Sequence, residues 1–366
     1  MTNPTLWRQE VTKLEAYVPG KSIEEVKKQY GLSEITRLAS NENPYGPSPK
    51  AIAAMNAAAA DSHLYPEPTS AELRSKLGEL YGVDPSQILV SNGADNVLML
   101  IGQAYVNPGD EVVYCVPTFS VYRTSTVVMG GVPVEIPLTA DYKFNLEAML
   151  AAVTDKTKLL YVCNPNNPTG TIVESAELEA FLKKVPPHVV VVLDEAYGEF
   201  IDVEGYKTGA EYVREGYPVI SVHTFSKLYG LAALRVGYAI ATPEVLAPVL
   251  AVREPFPVSR MANSAALASL DDVEYRDFIL STNREGLRYL GNELGRMGVG
   301  VTPSYSNFLF ADLHRDAAPV VEALLRAGYI VRPCKAWGYP EHIRITVGSP
   351  EQNRGFVAAL ERILGA

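Results

Sequence analysis

The 366-residue chain is poor in the residues and runs that mark several large protein classes. Its three cysteines, Cys115, Cys163 and Cys334, lie far apart without C-x-x-C spacing, which excludes a disulfide framework and a thiolate metal site and fits a reducing cytoplasm. Its five histidines contain no H-x-x-x-H pair. No stretch nears about 18 uninterrupted apolar residues, and the start MTNPTLWRQE lacks a basic segment followed by an apolar run, so neither a membrane span nor a secretory leader is expected. Basic side chains are outnumbered, 32 Lys+Arg against 42 Asp+Glu, for a net charge of −10. Nucleic acid is therefore a poor partner, although a local basic pocket remains open. There is no G-x-x-x-x-G-K-[ST], no G-x-G-x-x-G after a strand-like run, and no internal repeat, so the common nucleotide fingerprints and solenoid folds are absent.

What is present is a globular composition, 47% hydrophobic and 20% charged, on a chain long enough for two domains. From about residue 90 to 242, apolar β-type runs alternate with amphipathic segments, the pattern of an α/β domain with a mainly parallel sheet covered by helices on both faces. The runs 111–116, 132–137, 158–163, 189–194, 219–224 and 236–241 are predicted strands, several of them continuous in Val, Ile and Leu. In such sheets the ligand crevice lies at the carboxyl ends of the strands. After about residue 270 the pattern reads as a smaller α+β domain. Residues 31–269 are assigned to a large cofactor-binding domain, and 1–30 with 270–366 to the small one.

Four strings stand out at the predicted strand ends and helix starts: Ser91-Asn92-Gly93-Ala94-Asp95, Asn164-Pro165-Asn166-Asn167-Pro168-Thr169-Gly170, Asp194-Glu195-Ala196-Tyr197, and Thr224-Phe225-Ser226-Lys227 with Arg235 beyond it. As an ordered set they resemble the fold-type I pyridoxal phosphate enzymes of the aminotransferase class. Asn41-Glu42-Asn43-Pro44, Tyr65-Pro66-Glu67, Gly230-Leu231-Ala232 and Arg344-Ile345-Thr346-Val347-Gly348 make the chain most similar to the histidinol-phosphate aminotransferases within that class.

The residues support parts of this reading directly. Thr224, Ser226 and Arg235 supply hydroxyls and a guanidinium suited to a phosphate monoester, and Gly93-Ala94-Asp95 opens a helix whose free N–H groups form an anion site. Lys227 is the candidate Schiff-base amine, against the ordinary reading of a solvated lysine. Asp194 ends an apolar run where a carboxylate needs a partner, although a cap or turn aspartate is the plain alternative.

The resemblance implies further roles. Asp194 would keep the pyridine nitrogen of pyridoxal 5'-phosphate protonated, Tyr197 and Asn167 would donate to its 3-oxygen, and Phe119 would stack on its ring. For Tyr197 and Phe119 the alternative is core packing, and for Asn167 turn formation. Arg344 would take the α-carboxylate and Arg332 the substrate phosphate or a distal carboxylate, with Tyr17 and Asn41 as weaker substrate-side candidates. A surface role is the alternative for the arginines. Tyr65 would reach the neighbouring subunit's cofactor, implying a homodimer with shared active sites; packing before Pro66 is the plain alternative.

The expected function is amino transfer between histidinol phosphate and 2-oxoglutarate, an amino donor and a 2-oxo acid acceptor, in histidine biosynthesis. Phe119, Trp337 and Tyr339, expected on the substrate side, keep an aromatic aminotransferase open. A same-fold decarboxylase of a phosphorylated amino acid and a catalytically silent regulator also stay open.

Overall fold

The computed structural model describes residues 6–16 and 20–365. Its strands are β1 (Thr36–Leu38), β2 (Ile88–Ser91), β3 (Glu111–Val116), β4 (Val132–Pro137), β5 (Thr157–Cys163), β6 (Val190–Asp194), β7 (Val219–Thr224), β8 (Gly237–Ile240), β9 (Gly300–Val301), β10 (Phe308–Asp312), β11 (Tyr329–Pro333) and β12 (His342–Thr346). The larger sheet has the order β2-β8-β7-β6-β5-β3-β4. Its pairs β7/β6, β6/β5, β5/β3 and β3/β4 are parallel, and only β8 runs antiparallel to its neighbours. Central strands such as Val191-Val192-Leu193 are almost wholly inaccessible. Both faces are therefore covered, which is why these strands read as unbroken apolar runs instead of alternating ones.

Helix Ala94–Tyr105 shows how local pattern becomes packing. Ala94, Val97, Leu98 and Ile101 recur at helical spacing and are buried, while its first turn points back to the carboxyl edge of the sheet. The crossovers of a parallel sheet return every strand to that same edge. Asp194, Thr224 and the segments after β3 and β5 consequently converge there.

The second sheet, β1-β11-β12-β10-β9, is mixed, with β1 parallel to β11 and the remaining pairs antiparallel. Its own core is built around Leu309, Ile343, Ile345, Phe356 and Leu360. Helix Val273–Arg296 ties the two units together. Ile279 packs in the large core, whereas Leu290 and Leu294 lie in the small one.

The expected boundary at residue 31 does not follow the sheets, because Thr36–Leu38 pairs with Tyr329–Val331 of the smaller sheet. Three residues are too few to show strand periodicity. The described part of the first 30 residues divides: Val26 of helix Ile23–Tyr30 packs with Leu325 and Ile330 of the small unit, while the turn Gln9–Lys13 lies against helix Val121–Val128 of the large one. No helix among the described residues is long and apolar enough to cross a membrane.

Candidate active site

A cavity of about 290 Å³ lies between the carboxyl edge of the larger sheet and the face of the smaller one, near the lower end of the roughly 300–1,000 Å³ of small-molecule sites. Four cations, Lys227, Arg235, Arg332 and Arg344, line it against two carboxylates, Asp95 and Asp194. A protein of net charge −10 thus concentrates positive charge at one point, a potential that draws in anions.

At one end is an oxygen-rich cup. Ser226 N–H donates to Thr224 Oγ1 at 3.1 Å, and the two hydroxyls are 2.9 Å apart. Arg235 has a left-handed backbone (φ 52°), which turns its side chain back so that Nη1 donates to Ser226 Oγ at 3.3 Å and Nη2 meets Asp95 Oδ2 at 3.3 Å. Gly93 precedes helix Ala94–Tyr105 at φ 84°, and a Cβ there would lie 2.6 Å from Arg235 Nη2. Glycine therefore keeps the cup clear while leaving the first N–H groups of the helix directed at it.

At the floor, Asp194 is 2% exposed. Burial pushes its carboxyl up to about 6, opposed by a hydrogen bond from Tyr122 and by the Ala196 N–H. The Tyr122 hydroxyl donates to Oδ2 at 2.6 Å and Ala196 N–H to Oδ1 at 3.1 Å. Tyr122 is itself held by stacking on Tyr161, with ring centres 4.6 Å apart. The next residue, Glu195, accepts from Ser221 Oγ (2.6 Å), Gly209 N–H (2.8 Å) and Tyr206 (3.1 Å), which anchors the end of β6 to its surroundings.

Lys227 follows β7, its Nζ donating to the Ser40 carbonyl at 3.3 Å and lying 5.5 Å from the centre of the Tyr197 ring. The Tyr197 hydroxyl accepts from Asn41 Nδ2 at 2.9 Å. Asn41, left-handed at φ 54°, also receives Thr346 Oγ1 on Oδ1 (3.2 Å) and gives its own N–H to that hydroxyl (2.9 Å). It joins the smaller sheet to the cavity floor. Arg344 donates from Nη1 to Asn167 Oδ1 at 2.5 Å and from Nη2 to the Ala39 carbonyl at 2.7 Å. Arg332 stands directly opposite it across β11 and β12.

Lys227, Asp194, Tyr197, Ala94, Asp95, Phe119, Asn167, Thr224, Ser226, Arg235, Asn41, Arg332 and Arg344 therefore border one cavity, with Gly93 against Arg235. Tyr17 lies outside the described residues. Tyr65 is not at this cavity: it is 78% exposed and stacks on Phe256 at 4.6 Å. Tyr339, expected near the substrate side with Phe119 and Trp337, instead packs on Tyr142, Phe310 and His342, because Gly338 turns the chain away after the Lys335–Trp337 turn. Ser120, Cys163 and Tyr122 are functional neighbours that the sequence reading missed. Helical spacing offered a signal for Tyr122, which lies one turn beyond Phe119.

A lysine and a dehydrated aspartate at the carboxyl edge of a mainly parallel sheet, covered by a second sheet bearing paired arginines, define the chain as a fold-type I aminotransferase. It belongs to the aminotransferase class I and II family, whose model matches residues 33–360. The chain is 46% identical to the histidinol-phosphate aminotransferase of Symbiobacterium thermophilum over 98% of each chain. It is 44% identical to that of Moorella thermoacetica, covering 98% of this chain and 92% of the relative. The histidinol-phosphate aminotransferase of Sinorhizobium meliloti, solved in complex with pyridoxal 5'-phosphate, superposes with a TM-score of 0.90 at 28% identity, covering 99% and 98% of the two chains.

Proposed function

We propose that this chain uses pyridoxal 5'-phosphate to move an amino group between histidinol phosphate and 2-oxoglutarate. The cavity suits that cofactor on chemical grounds. A phosphate matches the cup of Thr224, Ser226, Arg235 and helix N–H groups, which Gly93 leaves unobstructed. A protonated ring nitrogen matches Asp194, whose carboxyl is otherwise dehydrated. Once bound, the cofactor supplies an electron sink for the pair released when a Cα–H bond breaks.

The protein's own groups do the rest. Asp194, oriented by Tyr122 and Ala196, holds the ring nitrogen's proton. Tyr197 and Asn167 would donate to the 3-oxygen, and Phe119, also on the cavity wall, would cover the ring. Lys227 would hold the cofactor through its amine, and the same amine, when free, would move the Cα proton as general base. The enclosing wall of Trp337, Arg332 and Arg344 limits water at that proton.

The observation that carries the substrate assignment is the register that sets Arg332 opposite Arg344 on the wall facing Lys227. Two like charges directly opposite each other on one sheet face repel, and an anion between them relieves that repulsion. A phosphate, or the second carboxylate of glutamate and 2-oxoglutarate, supplies one. Phe119 and Trp337 give an aromatic donor some purchase, but a neutral side chain brings no charge to the paired guanidinium groups. The assay is a donor panel with 2-oxoglutarate, following glutamate. Histidinol phosphate should have the highest kcat/KM; a higher value for tyrosine or phenylalanine makes the chain an aromatic aminotransferase, and turnover without 2-oxoglutarate makes it a decarboxylase.

We further assign a homodimer in which Tyr65 reaches the neighbour's phosphate cup. Its exposure beside Leu64 and Phe256, outside its own cavity, supports this. Three buried free cysteines suit a reducing compartment, so we assign the enzyme to the cytoplasm.

A further inference from the structure

Only two tryptophans occur in the chain, Trp7 and Trp337. Trp337 ends the turn Lys335–Trp337 within the segment 334–341 that joins β11 to β12, the two strands bearing Arg332 and Arg344. The indole lies against both arginines. The Arg332 guanidinium carbon is 5.7 Å from the centre of the Trp337 ring and that of Arg344 is 5.6 Å away. All three side chains line the cavity.

Cross-strand register alone would set two positive charges against each other. The negative π-face of an indole attracts each of them, an interaction that gains strength as water is withdrawn. Arg344 is already aimed by Asn167 and the Ala39 carbonyl. Arg332 is partly buried, and the shared ring lies against both guanidinium groups.

We propose that Trp337 is a specificity-determining residue: its ring holds Arg332 and Arg344 as one receptor for a doubly charged anion, a phosphate or a pair of carboxylates, and so favours dianionic substrates over donors that carry a single carboxylate. This inference rests on the amino-transfer reading above. It adds a residue that makes no bond to the reacting atoms and acts on selectivity through the two arginines.

The test uses the holoenzyme. In Trp7→Phe, Trp337 is the only indole, and titration with glutarate, a dicarboxylate with no amino or keto group, should change its emission along the same saturation curve as glutarate's competitive inhibition. In Trp337→Leu, glutarate affinity and kcat/KM for histidinol phosphate should each fall by about tenfold, the combined effect of two cation–π contacts. The kcat/KM for phenylalanine, which brings one carboxylate to Arg344 and a ring to Trp337, should fall less, by about threefold, so that the preference for histidinol phosphate shrinks. Trp337→Phe, which keeps a π-face, should retain most of the discrimination.

Equal losses for histidinol phosphate and phenylalanine, or glutarate inhibition with no change in emission, would overturn the proposal. The emission titration decides even if Trp337→Leu fails to fold. If the wild-type enzyme does not use histidinol phosphate, the functional reading fails separately, since glutarate still reports on Trp337.

Discussion

Tyr122→Phe removes one hydroxyl and leaves the rest of the floor in place. The ring that stacks on Tyr161 at 4.6 Å is kept, and no cavity larger than an oxygen atom is opened. What is lost is the 2.6 Å bond to Asp194 Oδ2, while the Ala196 N–H still donates to Oδ1. A hydrogen bond to a charged group is worth about 1.5–3 kcal/mol, and about 1.4 kcal/mol corresponds to one pH unit of a carboxyl's pKa. The Asp194 carboxyl, already pushed up to about 6 by burial, should therefore climb by roughly one to two pH units. The assay is the Kd of pyridoxal 5'-phosphate for the cofactor-free enzyme as a function of pH. Binding needs an ionised Asp194 opposite a protonated ring nitrogen, so it weakens as pH falls through the carboxyl's pKa. The cofactor phosphate titrates identically in both proteins, and the difference between them isolates Asp194. The acid limb should move upward by roughly one to two pH units, while Kd at the alkaline end stays within about threefold of wild type. An unmoved limb with intact binding would show that Tyr122 does not govern Asp194.

Lys227→Ala should abolish turnover while pyridoxal 5'-phosphate still binds the cup, measured as cofactor retained after gel filtration; residual wild-type activity would remove Lys227 from the mechanism. Arg332→Gln should lower kcat/KM for histidinol phosphate by roughly 2–5 kcal/mol and that for an aromatic donor with a neutral side chain much less, read in parallel donor assays. Glu199 has both carboxylate oxygens buried without a hydrogen-bond partner, and burial pushes it from 4.5 up to about 8. The folded state then keeps a proton that the unfolded chain has already released, so this group lowers stability as pH rises from about 4.5 to about 8. Glu199→Gln should flatten the Tm–pH curve, most clearly between about 7 and 8, above the value of about 7 to which burial pushes Glu195. Mixing inactive Lys227→Ala subunits with inactive Tyr65→Glu subunits should restore activity if sites are shared; no recovery despite subunit exchange would refute it.

The parts of the site legible in the sequence are those where one strand end carries several constrained residues together. Asp194 closes an apolar run, Lys227 follows Thr224 and Ser226 within three positions, and Gly93 stands before a helix with clear periodicity. Each is a local arrangement, fixed over a few residues by strand length and helix start. Helical spacing from Phe119 could point Tyr122 toward the site, but its bond to Asp194 was not legible because it depends on β6 passing beside a helix distant in sequence. Asn41, named from the sequence, does border the cavity, but its link from Tyr197 to Thr346 across the two sheets rests on contacts equally distant in sequence. β1 escaped because its pairing with β11 spans nearly the whole chain and leaves no periodic pattern in three residues. Tyr339 misled because proximity to Trp337 in sequence says nothing about the direction the chain takes after the left-handed Gly338.

Nitrogen should pass from histidinol phosphate to 2-oxoglutarate through this one cavity. Nitrogen-labelled histidinol phosphate incubated with the holoenzyme and 2-oxoglutarate, with products resolved by mass spectrometry, tests it directly. Label should appear in glutamate in equal proportion to the donor consumed, and no glutamate should form with Lys227→Ala. Label released as ammonia, or donor consumed with no labelled glutamate, would contradict the account.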